Sequence, residues 1–185
     1  MKKKSCVIFT IGHGTKSIDE FISLLKTYEV QRVVDIRTIP RSRHNPQFNK
    51  EILPESLKKV RIGYIYIKGL GGLRHSKKDS VNTAWRNASF RGFADYMQTE
   101  EFKENIDRLI RLAKQKKIVI MCAESVPWRC HRSLIADALL VRGIQVKHIM
   151  SQKTCNDHTL TPWANVKNVQ IIYPDEFAIK VADSE

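Results

Sequence analysis

The chain has 185 residues, of which 42% are hydrophobic and 28% are charged, values that exclude a disordered or fibrous protein and suit one domain with a substantial core. Its 32 Lys and Arg residues outnumber 19 Asp and Glu residues, which gives a net charge of +13, and the whole excess lies in residues 1–120. A field of this sign attracts phosphate groups, so nucleotides, nucleic acid or anionic surfaces are the partners that the charge favours.

Targeting signals are not evident at the start of the chain. No apolar run reaches the roughly 18 residues that span a bilayer, and the apolar stretch after Lys2–Lys4 is too short for a signal peptide. We therefore expect a cytoplasmic protein without a membrane partner, whose cysteines are reduced thiols. The oligomeric state is not indicated by the sequence.

Short apolar runs alternate with amphipathic segments along the chain, which predicts parallel strands joined by helices. In chain order, strands are predicted over residues 6–11, 32–36, 64–67, 118–121 and 146–150, with a possible edge strand over 169–173. A capping box, Ser17 and Glu20, predicts the start of the first helix. Later helices are predicted over 53–60, around 90–97 and 102–113, and over 130–141, where Gly143 ends the last one; the polar residues 74–88 predict a long loop or lid.

These elements predict one three-layer α/β domain, with a mostly parallel sheet of about five strands and helices on both faces. Residues 1–150 would form this domain, and residues 151–185 a C-terminal extension packed on it. Because ligands of open parallel sheets bind beyond the carboxyl ends of the strands, we expect the functional site at that edge.

The first three strand ends carry residues suited to an anion. His13, between two glycines, could donate to a phosphate or shuttle a proton, although Gly-His-Gly is also common in plain turns. Asp35, Arg37 and Arg41 follow the second strand, and arginine pairs bidentately with phosphate. The third strand is followed by the flexible, backbone-rich turn Gly71, Gly72 and Arg74, which is neither a P-loop nor a dinucleotide fingerprint.

The fourth strand end has the densest chemistry, from Cys122 to Arg132. A thiol near a helix N-terminus and arginines has a lowered pKa, so Cys130 is predicted to be a thiolate nucleophile or redox thiol, with Glu124 as the acid or base. His131 and Arg132 would hold phosphate. The spacing C-x6-R misses the phosphatase pattern by one residue, and no cofactor motif is present.

A metal role for these thiols stays open. The separation of Cys122 from Cys130 is longer than in ordinary zinc pairs, although Cys155 and His158 form a C-x2-H pair that could complete a site in space. A structural role, with both thiols simply packed in the core, is the plainer alternative.

One ordered set of motifs resembles the domain-of-unknown-function family numbered 488, over about residues 7–150. The set comprises Ile11-Gly12-His13, Val34 to Arg37 with Pro40-Arg41-Ser42, Leu70-Gly71-Gly72, Phe90 to Ala94, Cys122-Ala123-Glu124, Cys130-His131-Arg132 and His148-Ile149. Gly14 stands where a serine is expected in that family. The resemblance implies a single α/β domain with its motif residues in one site, and it implies no activity.

The sequence thus favours an enzyme that acts on a phosphate-bearing substrate, either a nucleotide or nucleic acid. Two alternatives remain: a nucleic-acid-binding module without catalysis, and a metal or redox sensor based on cysteine. Neither the reaction type nor the substrate follows from the residues.

Overall fold

The computed structural model describes residues 6–175, and its centre is a six-stranded sheet in the order β3-β2-β4-β1-β5-β6. Five neighbouring strands are parallel and the last is antiparallel to β5. The strands are β1 (Val7–Gly12), β2 (Arg32–Asp35), β3 (Gly63–Tyr66), β4 (Ile118–Cys122), β5 (Gln145–Ile149) and β6 (Cys155–Asp157). The predicted α/β class is confirmed.

Five α-helices cover the two faces of this sheet. They are α1 (Ile18–Thr27), α2 (Leu53–Lys59), α3 (Ala88–Tyr96), α4 (Glu100–Gln115) and α5 (Arg132–Leu140). Alternate residues of β4 enter the two cores: Ile120 packs with α3, α4 and α5, whereas Val119 packs with α1 and α2. This period of two explains why β4, buried at every position, reads as one continuous apolar run.

Two predicted helix ends are present in the structure. The Ser17 side chain accepts from the Glu20 N–H, and the Glu20 carboxylate accepts from the Ser17 N–H, so the capping box is confirmed. Beyond α5, Gly143 has a φ of 74°, and the Ile144 N–H donates to the Leu139 carbonyl 3.1 Å away. This is the left-handed helix termination that a glycine favours.

The start of α5 differs from the prediction. The expected helix began at Cys130, but the structure has a 3-10 turn over Pro127–Arg129, an extended Cys130, and a helix that begins at Arg132. Pro127 opens the turn, and its carbonyl accepts the Cys130 N–H at 3.0 Å. Cys130 therefore precedes the helix instead of lying in its first turn.

The C-terminal segment adds two features that the sequence did not specify. The strand β6 continues the main sheet, and β7 (Asn165–Lys167) pairs with β8 (Gln170–Ile172) in a separate two-stranded sheet. The apolar run over 169–173 is therefore not an edge of the main sheet, because its β8 portion pairs locally with β7. Residues 71–87 form the predicted long loop, and the Asp95 carboxylate holds it by accepting from Ser80 and Asn82.

The register places three of the predicted motifs side by side. Gly12 lies opposite Cys122, and Asp35 lies opposite Met121, so β1, β2 and β4 end at the same level of the sheet. The crevice beyond these ends is where a parallel sheet holds its ligands. No helix within residues 6–175 is long and apolar enough to cross a membrane.

Candidate functional site

Two adjoining cavities occupy this crevice. The first, called the thiol pocket here, measures about 390 Å³ and contains both Cys122 and Cys130 in its wall. The second, the histidine pocket, measures about 420 Å³ and contains His13. Their shared lining residues are Arg37, Ile39, Ala123 and Glu124. A ligand larger than a single phosphate group can therefore lie across both.

The centre of the thiol pocket is a cluster of Cys122, Cys130 and His131, called the sulfur cluster here. Their donor atoms all lie within 4.8 Å of one another. Cys122 is the last residue of β4, and the turn at Pro127–Arg129 returns the chain so that Cys130 faces it. The seven residues between the two thiols in the sequence form this returning segment.

The pKa values of the two thiols are shifted in opposite directions. A hydrogen bond from Cys122, followed by the nearby His131 and Arg132, lowers the pKa of Cys130 well below its ordinary value, although burial opposes this. The same hydrogen bond, with burial, raises the pKa of Cys122 well above its ordinary value. The lower pKa belongs to Cys130, and a lowered thiol pKa is the shift that a sulfur nucleophile requires.

Arg132 supports this thiolate from beneath. Its Nε–H donates to Cys130 Sγ at 3.4 Å, and one terminal nitrogen donates to the backbone carbonyls of Glu124 and Ser125. The side chain is buried, with 1% of its surface exposed. These contacts hold the loop after β4 and place the guanidinium next to the Cys130 sulfur, while the phosphate contact expected of Arg132 stays a prediction.

His131 has a fixed ring orientation. Its Nε2–H donates to the Leu70 carbonyl at 3.0 Å, and Nδ1 then faces Cys130 Sγ at 3.7 Å. Gly72 lies against the ring, since a Cβ atom at that position would stand 2.4 Å from Nδ1. Glycine is therefore required at position 72 because a side chain there would clash with the imidazole. The backbone conformation of Gly72 does not itself demand a glycine.

Asp35 and Arg37 form a buried ion pair at the end of β2. The Arg37 Nε–H and one terminal nitrogen donate to the two carboxylate oxygens at 2.9 and 2.6 Å, and Tyr64 donates to the carboxylate at 2.7 Å. The hydrogen bond and charge of Asp35 raise the pKa of Arg37, although burial opposes this. Asp35 orients the guanidinium, as predicted, and most of the Arg37 donors are already used within the protein.

His13 is neutral and both of its ring nitrogens have partners. Nδ1–H donates to the Gly14 carbonyl at 2.8 Å, and Nε2 accepts from Arg37 at 3.3 Å. Burial lowers the pKa of His13 to about 4, and its ring stacks on Phe48 with centroids 4.2 Å apart. In this arrangement His13 has no free lone pair for the proton transfer that the sequence predicted. Its contacts suit a residue that positions Arg37.

The remaining predicted residues lie at the rims of these pockets. Glu124 is exposed and belongs to both, and Arg41 lines the histidine pocket while it pairs with Glu51 at 2.9 Å. Gly71 and Arg74 instead line a neighbouring cavity, where Arg74 donates to the Gly69 and Gly71 carbonyls and stacks on an aromatic ring. Arg74 therefore stabilises the conformation of its own loop.

The C-x2-H pair does not join the sulfur cluster. Cys155 packs with the α1 and α2 side of the sheet, whereas His158 bonds to Asp137 and His148 on the other side. Positions three apart along extended backbone point to opposite faces of a sheet, so the C-x2-H spacing separates these two side chains.

Several side chains of the thiol pocket were not among the residues predicted for the site. Arg129 lines it and, within residues 6–175, its guanidinium has no hydrogen bond or ion pair. Ile39 and Leu73 flank the mouth and are 64% and 61% exposed, and Phe90 adds an aromatic wall. Single apolar residues in loops give no periodic signal, and only the closed fold shows that they share a cavity.

Comparison with known proteins gives one family. A family model described as "Domain of unknown function DUF488" matches residues 17–139, which include the Asp35, Cys122 and Cys130 motifs. Searches of curated proteins and of solved structures returned no match.

Proposed function

Since the chain belongs to the DUF488 family, a domain of unknown function, no activity comes with its membership, and we propose from the site that it is an enzyme acting on a phosphate-bearing substrate. Cys130 supplies the nucleophile. The observation that carries this is the position of Cys130 Sγ, close to Cys122 and 3.4 Å from Arg132 Nε, in the wall of an accessible cavity, where these neighbours lower the pKa of the thiol. A thiol that merely fills a core is protonated and faces no cavity.

Charge and shape favour a nucleotide-like ligand. Arg129 brings a positive charge, unpaired among residues 6–175, to the thiol pocket, while Ile39, Leu73 and Phe90 give it apolar walls. A phosphate would meet Arg129, and a base or other apolar group would cover the exposed side chains. Glu124, at the rim of both pockets, exchanges a proton with the substrate or water.

Binding of AMP and of inorganic phosphate tests the ligand class. Arg129→Ala should weaken both at least about tenfold, the loss expected for one charge-assisted hydrogen bond. Arg111→Ala is the matched control, because Arg111 is an exposed arginine on α4 and does not line either pocket. Equal affinities for the two variants would remove the thiol pocket as the phosphate site.

Catalysis is tested with the same protein and a panel of phosphomonoesters and nucleotides. Cys130→Ser should abolish any turnover while it leaves AMP affinity within a few-fold of wild type. Binding without turnover across the panel, in wild type and variant alike, would leave a non-catalytic binding module as the better account.

A further inference from the structure

We propose that the sulfur cluster is also a binding site for a single zinc ion, with Cys122, Cys130 and His131 as its three protein ligands. This goes beyond the proposed activity, because it gives the same sulfurs a second use that excludes nucleophilic attack. Two thiolates and one imidazole are a ligand set that zinc prefers, whereas hard cations such as Mg²⁺ select oxygen.

The separations fit a tetrahedral ion. Zinc lies about 2.3 Å from sulfur and about 2.0 Å from nitrogen, so tetrahedral angles place sulfur and nitrogen ligands about 3.6 Å apart. Cys130 Sγ and His131 Nδ1 are 3.7 Å apart, and Cys122 lies within the same 4.8 Å limit. Small side-chain adjustments would suffice to bring three donors to one ion.

The imidazole is already oriented as a ligand. Its Nε2–H donates to the Leu70 carbonyl, so Nδ1, 3.7 Å from Cys130 Sγ, is the ring nitrogen that an ion would bind in place of a proton. Metal-binding histidines commonly have their second nitrogen fixed in this way by a carbonyl or carboxylate. The close fit of Gly72 keeps the ring in this place.

The surroundings also suit a second thiolate and an open fourth position. Arg132 donates to Cys130 Sγ and holds this sulfur in place, and a zinc ion would displace the Cys122 proton to solvent and supply the charge that balances the second thiolate. All three ligands line the thiol pocket, so an ion among them would face the cavity on its fourth side. Zinc binding would release the Cys122 proton and withdraw the Cys130 lone pair from other reactions.

Equilibrium dialysis of the full chain against Zn²⁺, after treatment with a chelator and a reductant, tests this site. Wild type should bind one zinc per chain, and Cys122→Ser, Cys130→Ser and His131→Ala should each weaken it at least about 100-fold, the loss of one ligand from three. Cys155→Ser is the matched control and should bind like wild type, because Cys155 lies on the other side of the sheet.

A second measurement keeps the proposal testable if a variant misfolds. In wild type, one equivalent of Zn²⁺ should protect both Cys122 and Cys130 from alkylation and leave Cys155 unprotected. Zinc that binds equally to the His131→Ala protein, or protects Cys155 as much as Cys130, would overturn the site. The proposed activity fails separately, if Cys130 in the zinc-free protein is unreactive.

Discussion

Two polar clusters of the domain differ in how completely their hydrogen-bonding groups have partners within the protein. Around Asp137, which is fully buried in α5, the carboxylate accepts from His158 Nε2, from the Thr161 backbone and hydroxyl, and from the Tyr173 hydroxyl at 2.6–3.0 Å. The sulfur cluster has instead a thiol of lowered pKa, Cys130, in the wall of a cavity. The first cluster is built to hold the C-terminal segment, and the second retains bonding capacity for a ligand.

The Asp137 cluster extends as one chain of hydrogen bonds. His158 donates to the carboxylate, its Nδ1 lies 3.0 Å from His148 Nε2, and the other ring nitrogen of His148 lies 2.7 Å from the Thr10 hydroxyl. Burial lowers the pKa of His148 to about 4, so this histidine is neutral. Although the set resembles a catalytic relay, Thr10 is fully buried in β1, which favours a structural role.

Removal of the carboxylate should therefore have the largest effect on stability. Asp137→Ala leaves three buried or half-buried donor residues without their acceptor, and we expect the free energy of unfolding to fall by about 4 kcal/mol. Urea denaturation measures this. The control Asp157→Ala, at an exposed carboxylate paired with Lys147, should cost less than about 1 kcal/mol. Equal costs would show that the buried cluster does not hold the C-terminal segment.

The Asp35–Arg37 pair should rank next. Asp35→Asn keeps the shape but leaves a buried guanidinium without its counter-charge, so we expect a loss of about 3 kcal/mol. Thermal or urea unfolding measures the stability, with Glu51→Gln at the exposed Arg41 pair as the control. AMP affinity should fall with it, because Arg37 lines both pockets; an unchanged affinity would separate Arg37 from the ligand.

Acid should destabilise the protein through His13. Its pKa is about 4 in the folded protein and near 6.5 in the unfolded chain, so between these values the unfolded chain binds more protons and stability falls as the pH falls. This histidine accounts for up to about 3 kcal/mol of that loss. Unfolding of His13→Gln at pH 7 and pH 4.5 should show a smaller decrease than wild type, whereas the exposed His44→Gln should match wild type.

The smallest effect on stability should come from Gly72→Ala. The new Cβ displaces the His131 ring, which we expect to cost about 1 kcal/mol while zinc affinity falls about tenfold or more. Gly63→Ala, whose Cβ would meet only ordinary contacts, is the control for both measurements. Unchanged zinc affinity in Gly72→Ala would contradict the role given to the imidazole.

The comparison also shows what the sequence could reveal. The strand ends of β1, β2 and β4 carry Gly12, Asp35 and Cys122, and parallel topology is enough to bring them together. The hydrogen-bond cluster of Asp137 could not be predicted, because a single acidic residue in an apolar helix does not indicate which residues, 21 to 36 positions away, will bond to it. The extended conformation of Cys130 was missed for a similar reason, since Pro127 allows either a helix start or a turn.

Timed alkylation of zinc-free protein at neutral pH, followed by peptide mapping, tests the central claim that Cys130 is a reactive thiolate. Burial raises the pKa of Cys155 and of Cys6, so both should react slowly and faster as the pH rises. Cys130 should react first, at a rate almost independent of pH from 6.5 to 8.5, and AMP should slow it. If Cys130 reacts no faster than Cys155, or follows the same pH dependence, it is not a thiolate and the proposed chemistry is wrong.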